Sequence, residues 1–557
     1  MYRFLSLSLL TLLLAATPLR AQNANNEVTV AVFSLNDFHA GFVQNEAQGI
    51  PGAPSILQTL DSLKAVYPYH LTLSAGDNFG GSYFYKMTGG QPLPVFFDMA
   101  GIRVSALGNH EFDDGQDSLA LKWAHTRLRP ADWDIKYLCS NVYNAQSAIP
   151  AYAQPFSVEH VRLSPTKEVA IGITGLLASS AATQISASRI KGMQFRGDYT
   201  AVLDSVRALP DFKAVEQAPI RFLLMHIGVA QGEDGNPVWN DKRPDELSKI
   251  TGPLYQAFIA GHSHDLVIGR INEDQKPVVQ GWWQGRYLGV TKFRVDTVAM
   301  CVRSVEQELV SVPLRHPASL TGKALRMQEI TDSLLNVTTT AAGVKIGTQI
   351  GYCRENLPHD RADKLRLTQM GQLVCESYAT AYQLAKAKDI AASNVITDLH
   401  NGKKLKQKKS EIPVVVGVSH FGSVRAGLVK GKLTVLDAGE VLPFSNAMCA
   451  FAVNGKHLRE LINFGYHNER FGWMQYARLD VKLDKNRNAK KITYIAPDGT
   501  RIRVKDNTPV VIVCDAFMAG GGDDYPTTFF PAEKKLDVTM PGATDCFIQY
   551  IRLQREI

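Results

Sequence analysis

The chain has 557 residues, of which 45% are hydrophobic and 20% are charged. This composition is that of a globular protein, it excludes the collagen-like, coiled-coil and disordered classes, and the length predicts two to four domains. The net charge of +7 is spread along the chain, so it does not indicate a surface for a nucleic acid polymer. A basic run at 403–409 lies among polar residues and is typical of a solvated loop. The seven cysteines form no CxxC pair, which argues against a cysteine-rich zinc module.

Residues 1–21 predict a cleaved signal peptide. Arg3 precedes an apolar stretch at 4–16, and Ala21 supplies a small residue at a candidate cleavage point. The stretch is shorter than the roughly 20 apolar residues that span a bilayer. We therefore expect an exported protein, periplasmic or secreted, with no membrane anchor.

Residues 22–313 alternate short apolar runs with amphipathic or polar stretches. This pattern is typical of a layered α/β domain. The predicted strands are 28–35, 70–75, 104–107, 169–176, 220–226 and 258–261, and the predicted helices include 55–65 and 116–126.

Residues 314–341 predict a polar helical linker, and the pattern changes after it. A helix is predicted at 370–386, followed by strands at 413–418, 448–453, 477–483 and 509–515. We expect 342–557 to form a separate α+β domain.

Side chains that ligate metals follow five of the predicted strands in the first half. Since the carboxyl ends of the strands in an open α/β sheet form its sites, we expect these side chains to meet. Oxygen and imidazole ligands without thiolate suit Zn²⁺, Mn²⁺, Fe or Ca²⁺ and not a structural zinc. Each short motif alone is more often incidental, but five in this order predict a metal site. The residues are Asp37, His39, Asp77, Asn109, His226, His262 and His264.

The motifs NDFH at 36–39, GDNFGGS at 76–82, GNHEFD at 108–113 and GHSH at 261–264, with a strand that ends in His226, resemble the calcineurin-like metallophosphoesterase superfamily. Within it the chain resembles the bacterial exported 5′-nucleotidases and UDP-sugar hydrolases. The resemblance implies a four-layered α/β/β/α catalytic domain, a C-terminal nucleotide-binding domain, and rotation of one domain against the other about the linker.

The same resemblance implies two divalent metal ions, for which Zn, Mn, Co and Ca remain open. It assigns one ion to Asp37, His39, Asp77 and His264, and the other to Asp77, Asn109, His226 and His262. It makes His110 the catalytic histidine and Asp113 the residue that orients it. His264 departs from these nucleotidases, which usually carry Gln there, although the wider superfamily uses His.

The second half resembles the same family at 442–446 and 517–526. The resemblance implies that Phe444 and Phe517 sandwich the nucleobase and that Asp523 and Asn446 contact the nucleoside. The alternative is that both phenylalanines are ordinary core aromatics. Matching motifs assign substrate binding to Arg425 and, less closely, to Arg366. The sequence departs from the family at His420 and Phe421, which stand in place of Asn and Gly.

These observations predict a phosphohydrolase that converts nucleoside 5′-monophosphates to nucleoside and phosphate, acting as a monomer or weak dimer on a small-molecule nucleotide. Cleavage of the pyrophosphate of a UDP-sugar, or of a 2′,3′-cyclic phosphate, stays open on the same scaffold. A thiosulfohydrolase is less expected, because a small anion has no use for two stacking aromatics. A non-catalytic extracellular nucleotide binder is also less expected, because every metal-ligand position is filled.

Overall fold

The computed structural model describes residues 26–116, 128–340, 343–361, 363–394 and 414–557. The predicted signal peptide, most of the predicted helix at 116–126 and the basic run at 403–409 lie outside the described residues. All seven cysteines lie within them and are free thiols.

The first half contains two large mixed sheets. The seven-stranded sheet has the order β17-β16-β1-β2-β3-β4-β6, and the six-stranded sheet has the order β14-β15-β13-β10-β8-β7. Two short ribbons, β5-β9 and β11-β12, accompany them. The strands are β1 (Glu27–Leu35), β2 (His70–Ser74), β3 (Ile102–Ala106), β4 (Lys136–Leu138), β5 (Val142–Tyr143), β6 (Ala153–Gln154), β7 (Phe156–Ser164), β8 (Lys167–Leu177), β9 (Gln194–Phe195), β10 (Ile220–His226), β11 (Gly228–Gln231), β12 (Pro237–Asn240), β13 (Ala257–Ile259), β14 (Leu266–Ile271), β15 (Lys276–Gly281), β16 (Tyr287–Asp296) and β17 (Cys301–Ser311).

The two sheets pack face to face and helices cover their outer faces. Val30 and Val32 of β1 lie in a core shared with Ile171 and Phe222 of the other sheet. The alternate residues of β1 point the other way and pack against helix α1, as the two-residue period of a strand requires. The first half is therefore four-layered, α/β/β/α. Its described helices are α1 (Gly52–Val66), α2 (Tyr83–Thr88), α3 (Leu93–Ala100), α4 (Tyr199–Arg207), α5 (Lys213–Gln217) and α6 (Pro244–Ser248).

The strands that carry the candidate ligands run parallel to their neighbours. Strand β1 pairs in parallel with β2, and β2 with β3. Strand β10 pairs in parallel with β8 and β13. Their carboxyl ends therefore lie at the same side of the sandwich.

The segment between the halves contains helix α7 (Gly322–Val337). It packs against α1 and buries Ala324, Met327 and Thr331. A 3₁₀ turn at Pro317–Ser319 precedes it, because proline favours the first turn of a helix and disfavours its interior.

The second half is a mixed α+β unit. Its four-stranded sheet has the order β21-β26-β19-β22, a three-stranded sheet has the order β23-β24-β25, and β18 pairs with β20. The strands are β18 (Gln349–Cys353), β19 (Val414–Ser419), β20 (Gly431–Thr434), β21 (Met448–Asn454), β22 (Gln475–Tyr476), β23 (Leu479–Leu483), β24 (Ala489–Ile495), β25 (Arg501–Val504) and β26 (Pro509–Asp515). The described helices are α8 (Gln369–Asn394), α9 (Val435–Val441), α10 (Gly455–His467), α11 (Ala516–Ala519) and α12 (Ala543–Gln554).

The second half packs against the first beside the carboxyl ends of β1 and β2. The Glu440 carboxylate accepts hydrogen bonds from the backbone N–H groups of Tyr83 (3.0 Å) and Phe84 (3.3 Å). The Lys86 ammonium donates to the carbonyl oxygen of Phe444 at 2.9 Å. These contacts hold the Phe444 loop over the side of the first half where the candidate ligands lie.

Candidate dimetal centre and substrate cavity

The candidate ligands converge in two overlapping groups. One group is Asp37, His39, Asp77 and His264, and the other is Asp77, His226 and His262. Within each group the ligand atoms all lie within 4.8 Å of one another. Because Asp77 belongs to both groups, its carboxylate is placed to bridge two ions.

The backbone of these loops is strained where the ligands lie. Asp37, His39, Asp77, His262 and His264 all have positive φ, between 47° and 89°. Residues with side chains rarely adopt this conformation, and it persists only where the surroundings enforce it. The positive φ values therefore indicate that the backbone of these loops is set by the need to point the ligand side chains at the site. The intrinsic φ/ψ preference of the residues does not set it.

Glu111 fastens two of these loops together. Its carboxylate accepts hydrogen bonds from the N–H groups of Asp77 (3.1 Å), Asn78 (2.7 Å) and Gly108 (2.7 Å). A Cβ on Gly108 would lie 2.3 Å from Asp77 Oδ1, so only glycine allows this approach. Burial and the neighbouring Asp77 raise the pKa of Glu111.

The donor set fits divalent metal ions. His226 Nδ1 lies 2.8 Å from the Ala75 carbonyl oxygen, so Nδ1 carries a proton and Nε2 faces Asp77 Oδ2, 3.1 Å away. Asn109 Oδ1 is buried and has no hydrogen-bond partner. Burial and the nearby His226 lower the pKa of His262 to about 4, which keeps its imidazole neutral. Buried acceptors without donors are expected where a cation is bound.

His110 lies next to this cluster. Its Nδ1 is 2.9 Å from Asp113 Oδ2, and its backbone N–H donates to Asp77 Oδ1 at 2.8 Å. Burial lowers the pKa of the imidazole, but the Asp113 and Asp77 carboxylates outweigh burial and raise it overall. A Cβ on Gly80 would lie 2.0 Å from Asp113 Oδ2, which explains the glycine at that position.

Both halves of the chain line one cavity of about 690 Å³ that opens from the cluster. The first half contributes Asp77, Asn109, His110, Asp113, His262 and His264. The second half contributes five of the six predicted substrate residues, which are Arg425, Phe444, Asn446, Phe517 and Asp523.

Two arginines bring unpaired donors into the cavity. Arg361 Nη1 lies 3.2 Å from His264 Nδ1, and its guanidinium packs over the Trp283 ring at 5.6 Å. The Arg425 guanidinium packs over Phe444 at 5.4 Å. Arg425 Nε and Nη2 and Arg361 Nε are buried without hydrogen-bond partners. Burial lowers the pKa of Arg425 to about 10, so it remains a cation at neutral pH.

The two predicted stacking rings lie at different places in the cavity. Phe444 is parallel to the His110 ring, with centroids 5.5 Å apart and an angle of 7°. Phe517 lies 4.9 Å from the His420 ring. Both phenylalanines are partly buried and line the cavity.

Comparison with known proteins supports one family. Residues 346–529 match the family described as 5′-nucleotidase, C-terminal domain. A 5′-nucleotidase of Vibrio parahaemolyticus is 22% identical over 92% of this chain and 87% of its own length. These likenesses support the calcineurin-like 5′-nucleotidase family for this chain. The endonuclease YhcR of Bacillus subtilis is 23% identical over 96% of this chain, which spans only 40% of the Bacillus protein.

The fold has solved counterparts. The 5′-nucleotidase precursor of Thermus thermophilus superposes with a TM-score of 0.70 at 20% identity, over 95% of this chain and 97% of that chain. This likeness shows the two-part fold, an N-terminal α/β unit followed by a C-terminal domain.

Arg366 is the predicted site residue that the structure places elsewhere. Its guanidinium lies 3.1 Å from Asp363, and it is not among the residues that line the cavity. Arg361, five residues earlier, lines the cavity instead. No periodic pattern distinguishes two arginines in one irregular loop, so the sequence offered no signal for this choice.

Two further residues were missed. Glu111 lies inside the GNHEFD motif, so the motif itself could have indicated its role in holding the loops. Trp283 stacks on the His264 ring at 5.2 Å and 4°, and nothing in its sequence context marks it. No helix among the described residues has the length and apolar character that crossing a membrane requires.

Proposed function

We propose that the protein hydrolyses nucleoside 5′-monophosphates to nucleoside and phosphate with two divalent metal ions. One observation carries the proposal: the candidate dimetal cluster, His110, two arginines and two aromatic rings all face a single cavity. The ligands suit Zn²⁺, Mn²⁺, Co²⁺ or Ca²⁺.

The cavity residues form two groups, one that would bind the phosphate and one that would bind the nucleoside. A pair of divalent ions held by the two ligand groups would activate water and compensate the charge of the phosphate. The free donors of Arg361 and Arg425 bind phosphate oxygens, for which planar guanidinium groups are well suited. Phe444 and Phe517 supply the faces on which a nucleobase stacks.

His110 acts on the leaving group. Asp113 holds the proton of Nδ1, so Nε2 is the nitrogen left for the substrate. Because the pKa of His110 is raised, the imidazolium can donate from Nε2 to the 5′-oxygen as the bond to phosphorus breaks.

The remaining properties belong to the same proposal. The signal peptide predicted at 1–21 supports export to the periplasm or medium. We assign 22–313 to the catalytic domain, 314–341 to the linker and 342–557 to the substrate domain, in a monomer or weak dimer.

A second candidate substrate class has its own supporting observation. Lys86 and Arg189 also line the cavity, and they add positive charge beyond the two arginines assigned to the single phosphate of a monophosphate. The second phosphate of a UDP-sugar would contact them.

Replacing His110 tests the proposal. We expect His110→Ala to lower kcat by about 10²–10⁴-fold and to leave the metal content unchanged. Phosphate release would be measured from AMP, GMP, CMP, UMP, UDP-glucose and 2′,3′-cyclic AMP, with each divalent metal added back after chelation. His160→Ala, at a half-exposed histidine paired with Glu168, is the matched control. Full activity of His110→Ala would contradict the catalytic assignment.

A further inference from the structure

His420 forms a buried ion pair within the nucleoside end of the cavity. Its Nδ1 lies 2.5 Å from Asp523 Oδ2, and both residues line the cavity. Their side chains are 7% and 10% exposed.

The surrounding structure holds the pair in place. Asp523 has a φ of 50°, and its carbonyl oxygen accepts a hydrogen bond from Asn468 Nδ2 at 3.0 Å. Ser423 Oγ donates to the His420 carbonyl oxygen at 3.1 Å. A Cβ on Gly422 would lie 3.0 Å from Asp523 Oδ2 and 3.2 Å from His420 Nδ1. The two side chains are therefore confined to one arrangement.

The charges around His420 favour its protonated form. Burial lowers the pKa of the imidazole, but the charge and hydrogen bond of Asp523 and the charge of Asp515 outweigh burial and the opposing Arg425, so the pKa is raised. Asp515 is itself buried, and its Oδ2 has no hydrogen-bond partner. An imidazolium donates from both ring nitrogens and accepts at neither.

We propose that His420 is a specificity-determining residue, whose Nε2–H donates a hydrogen bond to an oxygen of the nucleoside, while Asp523 positions it. Nδ1 is engaged by Asp523, so Nε2 is the nitrogen left for a ligand, and the ring lies beside Phe517, 4.9 Å between centroids. The acceptor is a carbonyl oxygen of the base or a hydroxyl oxygen of the ribose. This inference rests on the proposed function.

The test compares substrates that differ in one acceptor. The base arm is the ratio of kcat/KM for IMP over AMP and for UMP over CMP, where an oxygen replaces an amino group. The ribose arm is the ratio for AMP over its 2′-deoxy and 3′-deoxy forms. We expect His420→Phe, which keeps an aromatic ring beside Phe517, to lower at least one ratio about tenfold through KM.

Two controls separate recognition from folding. Hydrolysis of p-nitrophenyl phosphate, which has no nucleoside, should fall less in His420→Phe than hydrolysis of the affected nucleotide. His467→Phe makes the same substitution at an exposed histidine of the same half and should leave every ratio unchanged.

Asp523→Asn tests the role of the carboxylate. Without it His420 loses its proton at a lower pH, so the affected ratio should fall at pH 7.5 and recover as the pH decreases to 5.5. A damaged fold would not recover in this way, and a ratio of two substrates on one enzyme cancels pH effects at the metal centre.

The outcomes are distinguishable. If the wild-type protein cleaves p-nitrophenyl phosphate but no nucleotide, the proposed function fails and this inference fails with it. If it cleaves nucleotides and His420→Phe leaves every ratio in both arms unchanged, only the role of His420 is overturned.

Discussion

The two halves of the molecule share one cavity but build their parts of it differently. The first half takes its ligands from turns directly after parallel strands and holds them through the backbone, with positive φ at five ligand residues. The second half contributes single side chains from separate loops and short helices, as with Arg361, Arg425 and Phe517. These side chains are held by ring–ring and cation–π contacts.

This difference follows from what each half has to bind. Metal ligands must converge within a few tenths of an ångström, and strained backbone on a rigid sheet provides that precision. A stacking face tolerates different bases and small shifts in position. Changes in the first half should therefore abolish the reaction, whereas changes in the second half should alter which substrates are accepted.

The largest effect is expected at the residue shared by both ligand groups. Asp77→Asn removes the bridging charge, so both ions should be lost and kcat/KM should fall at least about 10³-fold, since the ions supply several kcal/mol of transition-state stabilisation. The measurements are metal content by elemental analysis and phosphate release. Asp98→Asn, at a partly exposed aspartate paired with Arg103, is the control. A variant that retained two ions and full activity would remove Asp77 from the centre.

A smaller effect is expected in the second half. Phe444→Ala and Phe517→Ala should each raise KM for nucleotides about tenfold, because stacking on one face contributes about 1–3 kcal/mol. Hydrolysis of p-nitrophenyl phosphate should change far less, since it needs only the first half and the arginines. If activity on nucleotides and on p-nitrophenyl phosphate fell equally, the two phenylalanines would not serve nucleoside binding alone.

The smallest effect concerns the stability of the second half. His359 is buried, its Nδ1 lies 3.1 Å from Thr368 Oγ1, and burial followed by the charges of Arg361 and Arg366 lowers its pKa to about 3. An unfolded histidine titrates near 6.5, so below that pH the unfolded state binds the proton first. The contribution of neutral His359 is therefore complete above pH 6.5 and decreases as the pH falls toward 3.

His359→Gln should remove this part of the acid sensitivity. We expect the free energy of unfolding of the wild type to fall by roughly 2 kcal/mol more than that of the variant between pH 6.5 and pH 5. Denaturant unfolding at several pH values measures it, with His467→Gln as the control at an exposed site. Parallel pH profiles of the wild type and His359→Gln would show that burial of His359 does not contribute to the acid sensitivity.

Several strands were predictable because the residues that indicate each strand lie within it or directly after it. The ten predicted strands are all observed, from β1 to β26, since each combines an apolar run with turn residues at its end. The structure also brings together Asp37, Asp77 and His226, which lie far apart in the sequence. Their convergence could be anticipated because parallel strands place their carboxyl ends at one side of a sheet.

Other features were not predictable, because they depend on contacts between residues that are far apart in the chain. The antiparallel strands β14 to β17 extend both sheets, and their pairing partners are distant in the chain. Arg361 and Arg366 occupy the same loop, and only the path of that loop against Trp283 decides which one enters the cavity.

The sequence alone predicted the type of chemistry, because metal-ligand residues at the ends of five predicted strands are typical of a metal centre in an open α/β sheet. It also predicted the division into a metal-binding first half and a second half that supplies the aromatic residues. Only the tertiary structure decided that His420 and Asp523 form a buried pair, that Glu111 joins two ligand loops, and that Phe444 lies parallel to His110. These contacts join residues 34 to 334 positions apart, and local propensity carries no information about such pairs.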